Sequence, residues 1–467
     1  MRNKASRDGL VWDDTGFDLE PRWAREPPDL ESLERLCRRE LGLGRTDNCT
    51  VSLHAAGTYN KNYLVETAGD KFILRVSLPV DPHNKTRGEV ATLQLVRRKT
   101  DIIPVPEVIA FDGTSDNDIG FEWILMEWMA GKPAYYRWRK MSMTKKERLV
   151  ARVADFQAQL WQHGNNLGDV GLLRGIGTLG TSQPTDQNDV DDMDGMPCPG
   201  QIVSAAFFSG AHYDYHIPRG PFVSSHDWLQ VYLNIIVKEH TTSLAETKDQ
   251  DDREYAEGAL RVARKLLRLL HRVFPSLLHP PERTMLWHDD LSLMNIMVDD
   301  NDEITAIIDW ECVSAMPVWV SSQLPEFLRG ADREKRPDRN RYTDVSDQHD
   351  TSSNDGQMED SLDNEGKTEL YWIHLMEYEQ TQLRKVYAAR MRELRPSWDM
   401  EVTEGALKAD FLGAVTRCGA GFYLRRIEQW VDAIERREFV GLMEVLRVGL
   451  RKDKTATGRS VVAPIKW

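Results

Sequence analysis

The sequence predicts an α+β chain built as two lobes, a small strand-rich lobe followed by a larger, mostly helical one. Three observations carry that prediction. Short runs rich in Val, Leu, Ile, Phe and Tyr fall at 50–54, 61–67 and 71–76, separated by turns around Gly57 and Gly69-Asp70. Beyond Gly131 apolar residues recur mainly at helical spacing. Between 284 and 311 three apolar stretches alternate with polar connections, which reads as strand, loop and hairpin.

In chain order, residues 1–46 read as an extension holding one amphipathic helix. Asp29 opens it, Leu30, Leu33, Cys37 and Leu41 share a stripe, and Gly42 and Gly44 stop it. Residues 47–131 form the small lobe: the three strands, a helix from Thr86 to about Arg98, an extended segment enforced by Pro104 and Pro106, and the apolar run GFEWILMEW before Gly131. Residues 132–467 form the helical lobe. Thr144 and Glu147 make a capping box for a helix whose Leu149, Val153, Phe156 and Leu160 face one way and which Gly164 closes. Further helices are expected at 225–240, 254–274, 367–395 and 404–448, with strands only around 284–309. The polar, acidic stretches 181–200 and 331–366 read as loops, the second as a disordered insert.

The length of 467 residues fits two or three packed units, and 41% hydrophobic with 29% charged residues excludes collagen-like, mucin-like and wholly disordered chains. The formal charge of −14 weighs against a nucleic-acid partner, which needs concentrated Lys and Arg. Five aspartates between Asp186 and Asp194 and eight acids between Asp344 and Glu365 account for nearly all of that excess. The five scattered cysteines form no C-x-x-C pair, so neither a disulfide framework nor a zinc site is expected. No apolar run approaches the roughly 18–20 residues that span a bilayer. Asp8, Asp13 and Asp14 follow Arg2, Lys4 and Arg7 too soon for an acid-poor transit peptide, so the expectation is an intracellular, soluble protein, cytoplasmic rather than mitochondrial. Oligomeric state is not written in the composition.

The chemistry concentrates in TMLWHDDLSLMNIMVDDNDEITAIIDWE, residues 284–311. His288, Asp290 and Asn295 stand as H-x-D-x-x-x-x-N, and Asp309 follows Asn295 by 14 residues at the end of the strand ITAIID. A plain reading makes these polar residues caps of strand ends. The pattern also resembles the catalytic loop and metal-binding aspartate of protein-kinase-like phosphotransferases, and more closely the aminoglycoside phosphotransferase family, because Trp310-Glu311 stands where a protein kinase has Phe-Gly. Phosphoryl transfer needs one carboxylate beside the incoming hydroxyl and two oxygen ligands for magnesium, which two strands joined by a hairpin can deliver. The resemblance implies that Asp290 orients the acceptor hydroxyl and takes its proton, that Asn295 and Asp309 hold Mg²⁺, and that His288 supports the loop. Asp299, Asp300, Asp302 and Glu303 read as a solvated hairpin turn.

Gly57-Thr58-Tyr59-Asn60 followed by NYLVE resembles the glycine turn with which this family covers nucleotide phosphates, although Gly57 alone could be a hairpin residue. FILRV, 72–76, takes the place of the cation-bearing strand, with Arg75 where the family has Lys, a planar fork in place of a point charge. Glu89 would pair with that cation. Thr86-x-x-Glu89 is also a capping box, but Arg75 would otherwise lack a partner. WILMEWMAG, 123–131, resembles the hinge whose backbone near Glu127 to Met129 reads the adenine edge; a plain buried strand predicts the same apolar run.

The segment order, together with FDLEPRWAREP and ITAIIDWECVSAMPVWV, is most similar to fungal phosphotransferase-like proteins of the altered-inheritance-of-mitochondria type. That resemblance implies a protein-kinase-like fold, ATP and Mg²⁺ as cofactors, and transfer of the γ-phosphoryl group to a hydroxyl of a small-molecule acceptor. Asp289, Ser292 and Arg75 depart from the antibiotic kinases and put aminoglycoside specificity in question. Two alternatives stand beside it: a nucleotide-binding pseudokinase scaffold without phosphoryl transfer, and a metal-dependent hydrolase.

Overall fold

The computed structural model describes residues 7–16, 19–24, 28–162, 173–174, 176–180, 197–275, 282–342 and 365–448. The sequence readings at Gly164, over 181–196 and 343–364, and in the tail after 448 fall outside them.

The small lobe is a five-stranded antiparallel sheet. Cys49–Ala56, Asn60–Thr67 and Lys71–Ser77 form a meander, Glu122–Glu127 pairs with the third strand, and Val108–Asp112 closes the edge. Alternation decides the buried face: Tyr63, Val65, Leu74, Val76, Trp123 and Leu125 pack together. The helix Leu30–Glu40 completes this core with Leu33, Leu36 and Cys37. Its start is as the sequence requires, the Asp29 carboxylate accepting from Ser32 N at 2.8 Å. Its stripe differs, since Leu30 is half exposed and Leu36 takes its place in the core.

The helix Asn84–Lys99 lies between the lobes: Val90 packs on Ile124 and Met126 of the small sheet, while Ala91, Leu93 and Val96 join the core around Leu286 and Ile296. A Cβ on Gly88 would stand 2.5 Å from Thr178 Cγ2, so glycine here lets the helix approach the strand Gly177–Gly180. That strand pairs with Ser314–Pro317, which also pairs with Arg283–Trp287. The helical lobe therefore carries a small sheet of which the sequence reading foresaw only the strand Arg283–Trp287, because its outer strands are only two to four residues long.

Three helix readings change on folding. Met143–Gln162 begins after Ser142, whose hydroxyl accepts from Lys145 N, so the Thr144–Glu147 capping box does not form. Asn84–Lys99 starts two residues before Thr86, which places Thr86 and Glu89 inside the helix and frees Glu89 from capping. The expected 404–448 helix is three, Trp398–Gly419, Leu424–Glu435 and Leu442–Val448. Gly421 has φ +72°, and a Cβ there would lie 1.8 Å from Tyr255 Oη, so the chain turns where the apolar period runs on.

Within the acidic stretch 331–366, residues 331–342 are not loose. Asp332, Arg333 and Glu334 bridge to Arg384, Glu377 and Lys385 on the helix Glu369–Leu394. No helix among the described residues is long and apolar enough to cross a membrane.

Candidate active site

The two lobes meet around a hairpin. Ile296–Val298 pairs with Ile304–Ile307, and Lys132–Pro133 adds a third strand. Gly131, φ +126°, makes the join; a Cβ there would stand 2.7 Å from both Val298 O and Thr305 Oγ1. The ladder continues one bond further, Ile308 N donating to Asn295 O at 3.0 Å. Asn295 and Asp309 therefore emerge side by side at the same end of the hairpin. Asn295 turns its amide nitrogen onto Asp290, donating to the Asp290 carbonyl at 2.8 Å and to its Oδ2 at 3.0 Å.

His288 ends the strand Arg283–Trp287 and is buried. Its Nε2 lies 3.1 Å from the Ile308 carbonyl, which can only accept, so that nitrogen carries the proton. The ring meets Trp310 edge-on at 5.0 Å, and Trp310 is itself buried with its indole donating to Ile307 O. His288 thus fixes the backbone on which Asp309 stands.

Arg75 brings the small lobe to this point. Its Nη1 is 2.6 Å from Glu89 Oε1 and 3.1 Å from Asp309 Oδ1, while its Nε donates to Asn62 at 3.2 Å. Burial opposes the charge, but Glu89, Asp309 and Glu311 together hold the guanidinium above its ordinary range. Burial pushes Glu89 up despite Arg75. The pairing chosen from the sequence is thus the one the structure forms. Arg75→Met leaves Glu89, 2% exposed, without that partner. The expected loss is about 3–5 kcal/mol in urea unfolding; a midpoint equal to wild type would contradict it.

A second buried cation lies beside the first, and the sequence reading missed it. Lys85 Nζ is 2.7 Å from Glu311 Oε2 and donates to Asn60 Oδ1 at 2.7 Å. Asn60 Nδ2 donates to the same Glu311 oxygen at 2.8 Å, and Ser77 Oγ donates to Asn60 Oδ1 at 2.9 Å. Burial works against both charges, yet Lys85 is held above its usual range by Glu311, and Glu311 below its own by Lys85. A signal existed: Lys85 precedes Glu89 by one helical turn, so a cation and an anion share one face.

Asp309 and Cys312 both have left-handed backbone, φ 65° and 60°. Non-glycine residues pay about 1–3 kcal/mol each for such conformations. Asp290 is open to solvent, yet partial desolvation, with the Asp309 charge acting the same way, raises its carboxyl above the ordinary aspartate range.

The remaining expected site residues stand apart from this cluster. Gly57 and Thr58 form an exposed turn, Gly57 N donating to Asn60 O at 2.8 Å, and it is the Asn60 side chain that hydrogen-bonds to the buried charges. Glu127 N is taken by Glu107 O, and its carboxylate by Arg97 and Glu107 N. Trp128 N donates to Lys71 O. The Met129 N–H has no protein acceptor among the described residues.

Two oxygens, Asn295 Oδ1 and Asp309 Oδ2, have no protein donor among the described residues. Among those residues no group of three or more His, Cys, Asp or Glu could hold a metal by itself. An amide oxygen and one carboxylate suit Mg²⁺, which keeps waters and shares substrate phosphates rather than filling a protein cage.

The profile of the phosphotransferase enzyme family matches residues 50–320, more than half of the chain. A subtelomeric hrmA-associated cluster protein of Aspergillus fumigatus is 25% identical over 315 residues, 58% of this chain and 59% of that protein. Altered inheritance of mitochondria protein 9, mitochondrial, of Yarrowia lipolytica is 23% identical over 325 residues, 64% of this chain and 55% of that protein. The chain spans less than two thirds of the length of these curated relatives. Among solved structures, aminoglycoside phosphotransferase APH(4)-Ia aligns over 88% of this chain and 100% of its own at 13% identity, with a TM-score of 0.41. That likeness is too loose to argue from, but the family and fungal matches agree with the resemblance read from the residues.

Proposed function

The chain belongs to the phosphotransferase enzyme family, and from that premise we propose that it moves the γ-phosphoryl group of ATP to a hydroxyl of a small molecule. The observation that carries this reading is the hydrogen bond from Asn295 to Asp290 at the end of the hairpin that also presents Asp309. It gathers a solvent-open base and two donor-free oxygens at one spot.

In this reading Asp290 accepts the hydroxyl proton and orients the attacking oxygen, while Asn295 holds the Asp290 carboxylate in place. Arg75 offers positive charge to the phosphates, Gly57 and Thr58 cover them, and Met129 N–H, in the hinge with Glu127, meets the adenine edge. Asn295 Oδ1 and Asp309 would hold Mg²⁺, which when bound neutralises charge on the phosphate oxygens. The acceptor lies beside Asp290, where Asp289 and Glu326 add negative charge and Arg329 positive charge.

The scaffold alternative draws on one observation: Arg75 is already shared among Glu89, Asp309 and Asn62. Thermal unfolding with Mg-ATP followed by labelled-ATP transfer to a panel of hydroxylated metabolites separates the readings. Ligand at 100 times its dissociation constant stabilises by about 2.7 kcal/mol, an increase of a few degrees in Tm. A labelled, acceptor-dependent product is the expected result. Binding without transfer to any acceptor would favour the scaffold, and phosphate release without acceptor would favour a hydrolase. The mitochondrial label belongs to the Yarrowia relative, and it lends no support to the cytoplasmic address expected from the sequence.

A further inference from the structure

We propose that Lys85 is a positioning residue which, through Glu311 and Asn60, locks the turn after Asp309 to the glycine turn and so sets where Asp309 presents its free oxygen. The inference rests on the phosphotransferase reading and deepens it.

Three segments far apart in sequence meet at one ammonium group. Asn60 ends the glycine turn and begins the second strand, Lys85 lies on the first turn of the helix Asn84–Lys99, and Glu311 is two residues beyond Asp309. Lys85 is 2% exposed, and its Nζ has both Glu311 Oε2 and Asn60 Oδ1 at 2.7 Å. Asn60 closes the triangle by donating to Glu311. None of the three atoms can shift without stranding a buried charge or amide.

The latch grips a strained piece of backbone. Glu311 lies between two left-handed residues, Asp309 and Cys312, and such conformations persist only where the surroundings over-determine them. On the other side of Asp309, the bonds Ile308 N to Asn295 O and His288 Nε2 to Ile308 O fix the incoming chain. Without Glu311 held, the outgoing chain has lost its ionic anchor and the Asp309 carboxylate can follow Arg75 toward Glu89. The charges fit a cation site: Arg75 and Lys85 face Glu89, Asp309 and Glu311, so one negative charge remains over at Asp309, the partly exposed member.

The test uses the whole chain and reads the magnesium concentration that half-saturates the ATP-dependent increase in Tm. Lys85→Met is expected to raise that constant about 10–100-fold, the range seen when groups that orient metal ligands are removed. Glu311→Gln should raise it similarly, and the double variant should be no worse than either single one, since each acts through the other. A Glu311→Gln loss with Lys85→Met unchanged would overturn the latch, because Glu311 would then act on the metal without Lys85. A lowered Tm with an unmoved magnesium constant would overturn it too, as a purely structural role. Should Lys85→Met not fold, Asn60→Ser, which removes only the neutral arm and its bonds to Lys85 and Glu311, must raise the constant at least about twofold, the lower end of the net worth of a single hydrogen bond; no change there would equally overturn the proposal. A wild-type chain that ignores Mg-ATP sinks the phosphotransferase reading and the latch with it, whereas a responsive wild type with unaffected variants sinks the latch alone.

Discussion

Asp309→Asn is expected to abolish the Mg-dependent stabilisation of the chain by ATP and to lower kcat/KM at least about 10³-fold, close to 4 kcal/mol of transition-state stabilisation. Asparagine is the informative replacement because the residue has φ 65°. Asparagine tolerates that conformation better than most residues, so the turn is kept while the charge is lost. The side chain is 30% exposed, and its partner Arg75 keeps Glu89 at 2.6 Å, so unfolding without nucleotide should stay near wild type. The measurement is a pair of melting curves, with and without Mg-ATP, beside initial rates. A variant that keeps the full Mg-ATP shift would place the metal elsewhere and remove the basis of the proposed site.

Asp290→Asn should reduce kcat about 10²–10⁴-fold with little effect on ATP binding, the usual worth of a positioned general base. The substituted amide can still accept from Asn295 Nδ2 through its oxygen, so the loop need not rearrange. The pH dependence follows from the raised Asp290 carboxyl. The active form is the deprotonated one, so kcat/KM should fall about tenfold per unit below the folded pKa. Because desolvation and Asp309 move that value upward, the acid limb should lie above the ordinary aspartate value of about 3.9. In the variant that limb should vanish. An acid limb of unchanged position, or a kcat within about threefold of wild type, would assign the proton transfer to another group.

The site was legible in the sequence to an uneven degree. His288, Asp290, Asn295 and Asp309 could be read because one strand–loop–hairpin carries all four, and local spacing sets their relation. The Arg75–Glu89 pair could be argued because an unpartnered cation on a buried strand needs a carboxylate, and the following helix supplied one. Lys85 was passed over for the opposite reason, as one charge among many, and Glu311 was noted only as the residue after Trp310, with no partner assigned to it. Asn60 and Glu311, which touch, are 251 positions apart. No local period reports such a meeting.

The sequence by itself settled the two-lobe order, the long helices and small-lobe strands, and the residues that line one hairpin, because alternation, helical spacing and turn chemistry act over a few residues. It did not show the short strands Leu10–Asp13, Glu20–Trp23 and Gly177–Gly180. Tertiary structure alone decided that Lys85 takes Glu311 as its partner, and that 404–448 breaks at Gly421. It also decided that the glycine turn is tied down through Asn60 and Glu311. The reason is physical: burial turns an unremarkable charge into one that must be paired, and which partner it takes depends on surfaces brought together only by folding.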